Sequence, residues 1–225
     1  YDSKGDLAVV LPPEASSRLS SPGNYSCKSA APLLDNAYLY SYDEFHRCVS
    51  KKLPGADAVA IRYDNMDRPV FIQSGVQKSN NTYTQLVYDQ FGRLIRQGDG
   101  AYSVRYFYDN YDSIPNIAAL QYVGKAGYGI KSENARTLQT GIVVSTDDGK
   151  ELYSVCYYDR KGQLVQKRSE NSLGGLDCYY YLYTYTGKVQ SMLHEHVVGS
   201  SKQEEVYTYR YDNADRLQQV LHQLN

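Results

Sequence analysis

The heptapeptide YDQFGRL at Tyr88–Leu94 is one of eight copies of a single pattern in this chain. The others read YDSKGDL from Tyr1, YDEFHRC from Tyr42, YDNMDRP from Tyr63, YDNYDSI from Tyr108, YDRKGQL from Tyr158, YTYTGKV from Tyr183 and YDNADRL from Tyr211. Successive tyrosines are mostly 20 to 28 residues apart, with longer gaps after Tyr1 and Tyr108. That interval is the length of one hairpin with its return strand, and self-similarity at such a period signals a repeat architecture.

The fifth position marks each core as a turn. Its occupants are Gly5, His46, Asp67, Gly92, Asp112, Gly162, Gly187 and Asp215, all types that tolerate positive φ. A left-handed residue after a type I turn closes a three-residue hairpin loop with a bulge. The second position is Asp except at Thr184, and an Asp there accepts bonds from the turn's own N–H groups. Positions two and six then face each other, as do positions one and seven. This predicts the ion pairs Asp43–Arg47, Asp64–Arg68, Asp89–Arg93 and Asp212–Arg216, and the ring-on-aliphatic pairs Tyr88–Leu94, Tyr158–Leu164 and Tyr211–Leu217. Each is worth roughly 0.2–1 kcal/mol.

Upstream of the cores the sequence alternates, as at Tyr40/Tyr42, Leu86/Tyr88, Tyr106/Tyr108, Tyr181/Tyr183 and Tyr207/Tyr209/Tyr211. Residues two apart share one strand face, so each hairpin presents a tyrosine-rich row. Asp148-Gly149 reads as a further tight turn of the type I′ kind. Two stretches break the rhythm: 11–37, rich in Pro and Ser with one helical turn expected near Pro13–Arg18, and about 112–140, interrupted by Pro115, Gly124, Gly127 and Gly129. The expected fold is all-β, consecutive antiparallel hairpins forming a curved, open sheet or partial shell. It is read as a single repeat domain over residues 1–225, with long loops at about 11–37 and 112–140.

Composition agrees with strands. Tyr 25, Phe 4 and Trp 0 make the large side chains nearly all ones with a polar tip, which suits a half-buried sheet surface. The formal net charge of -1 offers no basic field for nucleic acid, and no apolar run is long enough to span a bilayer. Cys27, Cys48, Cys156 and Cys178 are too scattered for a zinc-ligand pattern. Two disulfides in three connectivities are open to them, with buried or free thiols the favoured state because Cys48 and Cys156 fall in strand-like segments.

The eight cores resemble the YD or Rhs repeats of bacterial surface and secreted proteins, a family that includes the repeat shells of insecticidal toxin complexes and the teneurins. KKLPGAD at Lys51–Asp57, VYDQFGRLIRQG at Val87–Gly98, YYDRKGQLVQ at Tyr157–Gln166 and LGGLD at Leu173–Asp177 resemble its Bacteroidetes branch. The resemblance implies a long sheet that spirals into a shell around a C-terminal cargo, or a barrel displayed on a cell surface. It also implies a secreted or surface location, with the rest of the parent polypeptide as partner. Because the chain opens inside a core, at Tyr1, a fragment of a longer protein is expected.

Candidate chemistry is sparse. His194-Glu195-His196 places two imidazoles on one strand face, but no third ligand is apparent nearby, and catalytic zinc normally takes three. An exposed strand end is the favoured reading. Asp64/Asp67, Asp109/Asp112 and Asp212/Asp215 suggest calcium, yet occupy the turn positions already explained. No nucleophile elbow, Cys/His motif or phosphate loop occurs, and nothing marks a glycosidase acid pair. A non-enzymatic scaffold without cofactors is therefore expected. The alternative is a glycan- or protein-binding module that uses Tyr181, Tyr183, Tyr207, Tyr209 and Tyr211 as its ligand face. Open sheet edges also invite self-association.

Overall fold

The structure, a computed structural model, describes residues 1–17, 36–100, 103–146 and 148–224. Among these the chain is all-β, with fifteen strands whose described pairings are antiparallel. It divides into two compact units, Tyr1–Gly100 and Ala101–Asn225. In each, strands follow one another in sequence order without crossovers.

The first unit holds β1 (Val9–Val10), β2 (Tyr38–Tyr42), β3 (Cys48–Lys52), β4 (Val59–Tyr63), β5 (Pro69–Gln73), β6 (Thr84–Tyr88) and β7 (Leu94–Gly98). The helical turn expected near Pro13 is α1 (Pro13–Ser16), and 18–35 of the first long loop lie outside the described residues. A second short helix, α2 (Gly75–Ser79), joins β5 to β6. Ser74 opens it with a capping box to Gln77, satisfying two of the first turn's free N–H groups.

The second unit holds β8 (Ser103–Asp109), β9 (Ala135–Ser145), β10 (Glu151–Tyr158), β11 (Leu164–Glu170), β12 (Leu176–Tyr183), β13 (Val189–Val198), β14 (Ser201–Tyr211) and β15 (Leu217–Leu224). Its irregular excursion ends at Asn134, because β9 already begins at Ala135; the loop expected to reach 140 is shorter by that margin. The excursion carries a 3-10 turn at Ile117–Leu120 and lies on one face of the sheet. Ile114 and Leu120 pack there against Val143, Tyr153, Val155, Tyr157 and Val165. Among the described residues, every buried apolar side chain except Ala15 and Ala37 belongs to this unit. A single sheet buries little of either face unless something lies on it.

Polar groups hold the excursion down. The fully buried Gln166 side chain donates to the Val123 carbonyl at 2.8 Å and accepts from the Val123 N–H at 3.1 Å. Tyr157 donates its hydroxyl to the Leu120 carbonyl at 2.8 Å, and buried Thr140 donates to the Asn110 carbonyl at 2.7 Å. These bonds match loop backbone to sheet side chains, so the covered face keeps its polar atoms satisfied.

Seven of the eight cores form the expected turn. In each, the N–H of position two donates to the carbonyl of position six, and position five has positive φ. The exception follows Tyr108. There Asp109 takes the positive φ, 72°, instead of Asp112, and accepts the Thr137 N–H at 2.7 Å as the chain leaves into the excursion. The Asp148-Gly149 turn also differs from the expected type I′. Thr146 N–H donates to the Lys150 carbonyl and Gly149 N–H to the Thr146 carbonyl, the bond pattern of the cores. The same turn recurs at Asn171–Gly175, where Asn171 Oδ1 accepts from Leu173 and Gly175.

Candidate functional site

The core aspartates act as turn caps. Asp89 Oδ1 accepts the N–H groups of Phe91 and Arg93, both at 2.9 Å, while its Oδ2 takes Arg93 Nε at 2.8 Å. Asp43, Asp64 and Asp212 repeat the arrangement, which gives the four predicted ion pairs. Backbone donation from Arg68 and Arg216 is the leading cause that holds Asp64 and Asp212 below the usual carboxylate range. The paired acids read as possible calcium ligands are thus committed to turns at Asp64/Asp67 and Asp212/Asp215.

The predicted pairs Tyr88–Leu94, Tyr158–Leu164 and Tyr211–Leu217 face each other in register. One residue further, at position eight, six hairpins carry a bulge: Val49, Val70, Ile95, Val165, Gln190 and Gln218 have no partner across the ladder. The bulge bends and twists the return strand.

The core tyrosine has a further role through its hydroxyl. Tyr63 donates to the Cys48 carbonyl at 2.9 Å, Tyr88 to Pro69 at 2.9 Å, Tyr183 to Leu164 at 2.8 Å and Tyr211 to Val189 at 2.8 Å; Tyr42 donates to Leu7 at 3.1 Å. Each acceptor is position seven of the preceding core. The hydroxyl therefore ties hairpin to hairpin beside the turn, where the backbone ladder has ended. Tyr158 follows the irregular core and donates to Gln139 instead, at 2.6 Å. Arginine at position six adds to this, its guanidinium lying over the next core's ring at Arg47–Tyr63 and Arg68–Tyr88.

Strand alternation sorts the second unit's tyrosines onto two faces. Tyr180 points to the side covered by the excursion, where burial pushes its hydroxyl up to about 12. Tyr179, Tyr181 and Tyr183 point to the other face, together with Tyr207, Tyr209 and Tyr211 of β14 by register through β13. The five residues read as a ligand face thus share one surface. Tyr183 and Tyr211 spend their hydroxyls on the sheet, and Tyr207 donates to Glu205 and stacks on His222 at 4.4 Å. Burial raises Tyr181 to about 12.

On this same face the structure supplies the third group that was not apparent beside His194 and His196. Asp177 of β12 stands directly opposite His196, and its Oδ1 lies 2.7 Å from His196 Nδ1 and 3.0 Å from His194 Nε2. Burial alone would raise Asp177, but its bonds with His196 and His194 hold it below the ordinary carboxylate range. The three ligand atoms lie within 4.8 Å of one another, close enough to hold a metal ion. The histidines are mid-strand and only 19% and 36% exposed, which corrects the exposed strand end expected of them. Tyr179 stacks on His194 with centroids 4.3 Å apart and planes 2° from parallel. Glu205 of β14, opposite His194, lies 4.0 Å from its Nδ1.

Glu195, between the histidines, points to the opposite face. There it accepts from Lys125 at 2.5 Å and Lys202 at 2.8 Å, and Tyr180 donates to it at 3.2 Å. Burial disfavours its charge, yet Lys125 and Lys202 hold its carboxyl down to about 2. Lys125 rides on the excursion, so this cluster locks the loop to the sheet. Cys48, Cys156 and Cys178 are free thiols, and Cys27 lies outside the described residues.

No family model and no curated protein matches the sequence. Solved structures do. The chain is similar to the crystal structure of TcdB2-TccC3-Cdc42, with a TM-score of 0.58 and 14% identity over 96% of this chain and 10% of that one. The TcdB2-TccC3-TEV structure gives 0.58 and 14% over 99% and 11%, and TcdB2-TccC3 itself 0.57 and 15% over 96% and 11%. The chain thus spans about a tenth of the chains it matches, and at this identity the likeness is one of fold: an open run of antiparallel hairpins of the kind found in TcdB2-TccC3.

Proposed function

We propose that this chain is a non-catalytic wall segment of a larger Rhs-type surface or secreted protein, a stretch of sheet that encloses or displays another part of its parent polypeptide. The observation that carries this reading is the tie from five core tyrosines, Tyr42, Tyr63, Tyr88, Tyr183 and Tyr211, to position seven of the preceding core. Such a tie spends the residue that dominates the composition on continuity from one hairpin to the next. The fold likeness to the toxin-complex pair TcdB2-TccC3 supports the same reading, as does the small share of those chains that is spanned.

The glycan-binding alternative predicts rings free to stack on a sugar. A glycan array probed with the chain, alongside urea melts of Tyr181→Ala, Tyr183→Ala and Tyr209→Ala, separates the two. The wall reading expects destabilisation by all three substitutions and no array signal. A saturable glycan signal abolished by Tyr209→Ala at unchanged stability would favour the binding module.

A further inference from the structure

We infer that Asp177, His194 and His196 form a binding site for a divalent transition-metal ion on the tyrosine-rich face of the second unit. Two strands build it. In β13 the histidines are two apart and so share a face, and register sets Asp177 of β12 opposite the second of them.

Convergence of the three groups on one point is the first argument. A carboxylate that serves two imidazoles only as a hydrogen-bond acceptor has two oxygens to offer. Here both rings aim at the same one, Oδ1, from 2.7 and 3.0 Å. A tetrahedral ion with ligand bonds of about 2.0–2.1 Å sets its ligand atoms about 3.3 Å apart. Small side-chain rotations open these two contacts to that spacing.

The surroundings of His194 are the second argument. A metal-bound histidine usually turns its other ring nitrogen to a carboxylate or carbonyl, which fixes the ring and raises its basicity. His194 presents Nε2 to Asp177, and its opposite nitrogen, Nδ1, lies 4.0 Å from Glu205. The Tyr207 hydroxyl donates to that Glu205 carboxylate at 3.0 Å, and Tyr179 stacks on the imidazole itself. The ring is flanked by groups from both neighbouring strands, β12 and β14, before any ion arrives.

Two imidazoles and one carboxylate suit zinc and its neighbours in the first transition row, whereas calcium and magnesium prefer all-oxygen sites. Three protein ligands leave a position open for water or for a group from another molecule. Partial exposure of all three side chains, 19–36%, gives the ion a way in. The ion would pin β12 to β13, the pair that Asp177 now joins by hydrogen bonds alone.

The test uses the whole chain without an affinity tag, titrated calorimetrically with zinc chloride and followed in parallel by thermal melts. One equivalent should bind and raise the melting temperature with ion concentration, as any ligand of the native state does. Asp177→Asn and His194→Ala, which remove direct ligands, should each weaken binding by at least the roughly 10–100-fold that loss of an outer-shell partner costs, while His46→Ala and Cys178→Ser should leave it unchanged. Cobalt chloride added to the unaltered chain gives a readout that does not depend on how a variant folds. Of the four histidines, the ring resonances of His194 and His196 should shift or broaden while those of His46 stay in place. Absence of saturable binding, an equivalent that survives His194→Ala with His196→Ala, or unperturbed His194 and His196 resonances would each overturn the site.

Discussion

At five of the cores, tyrosine does two things that phenylalanine does only by half. Its ring packs across the hairpin, and its hydroxyl reaches the carbonyl of position seven in the hairpin before. The first role follows from alternation along the strand. The second was not legible, because it joins residues about 20 apart whose adjacency depends on strand order. Removing the Tyr183 hydroxyl leaves the Leu164 carbonyl without this donor. Tyr183→Phe should therefore lower stability by about 1 kcal/mol. Tyr185→Phe, at a ring 96% exposed, should change it little; equal urea midpoints for the two variants would contradict the tie.

Among the elements, the turn is the part most plainly written in the chain. Position five of the core needs positive φ, so Gly, Asp or His there announces it, and the aspartate at position two caps it. The turns at Thr146–Lys150 and Asn171–Gly175 adopt the same form without the tyrosine that flags a core. In the second of them two glycines serve different needs. Gly174 has φ 78° with open space about it, whereas a Cβ on Gly175 would collide with the Val197 carbonyl of the next strand. Gly174→Ala should cost about 1–2 kcal/mol through the backbone alone. Gly175→Ala should cost more, since backbone must move, and chemical denaturation of the pair checks the order.

For the molecule as a whole, the second unit owes its core to the excursion that follows Tyr108. That core reads as a turn, yet Asp112 does not take the left-handed position. Burying Ile114 and Leu120 on the sheet outweighs closing a hairpin there, since each such side chain contributes about 1.5–3 kcal/mol when taken from water. The same covering buries Tyr157 and Tyr180, and Tyr181 is half-buried on the far face; burial raises all three hydroxyls to about 12 from 10.0. A tyrosine raised on folding favours its neutral form, so its contribution is whole below the unfolded value and fades as pH climbs through the folded one. Stability of the chain should fall between about pH 10 and pH 12, with buried tyrosines ionising only as it unfolds. Complete tyrosinate absorbance near the ordinary value with an unchanged far-UV spectrum would contradict that burial.

Hairpins, their turns and their in-hairpin pairings are local: the groups that make them lie within seven residues, and alternation or a φ requirement is enough to expose them. The bulge at position eight is nearly as local, but its occupants, Val49, Val70, Ile95, Val165, Gln190 and Gln218, share no residue type that a turn or cap would demand. Which face is covered, and which residues meet across strands, are matters of register and long-range packing. Asp177 shows the difference. Nothing near it in the chain marks it as a ligand, and only the pairing of β12 with β13 brings it to His194 and His196.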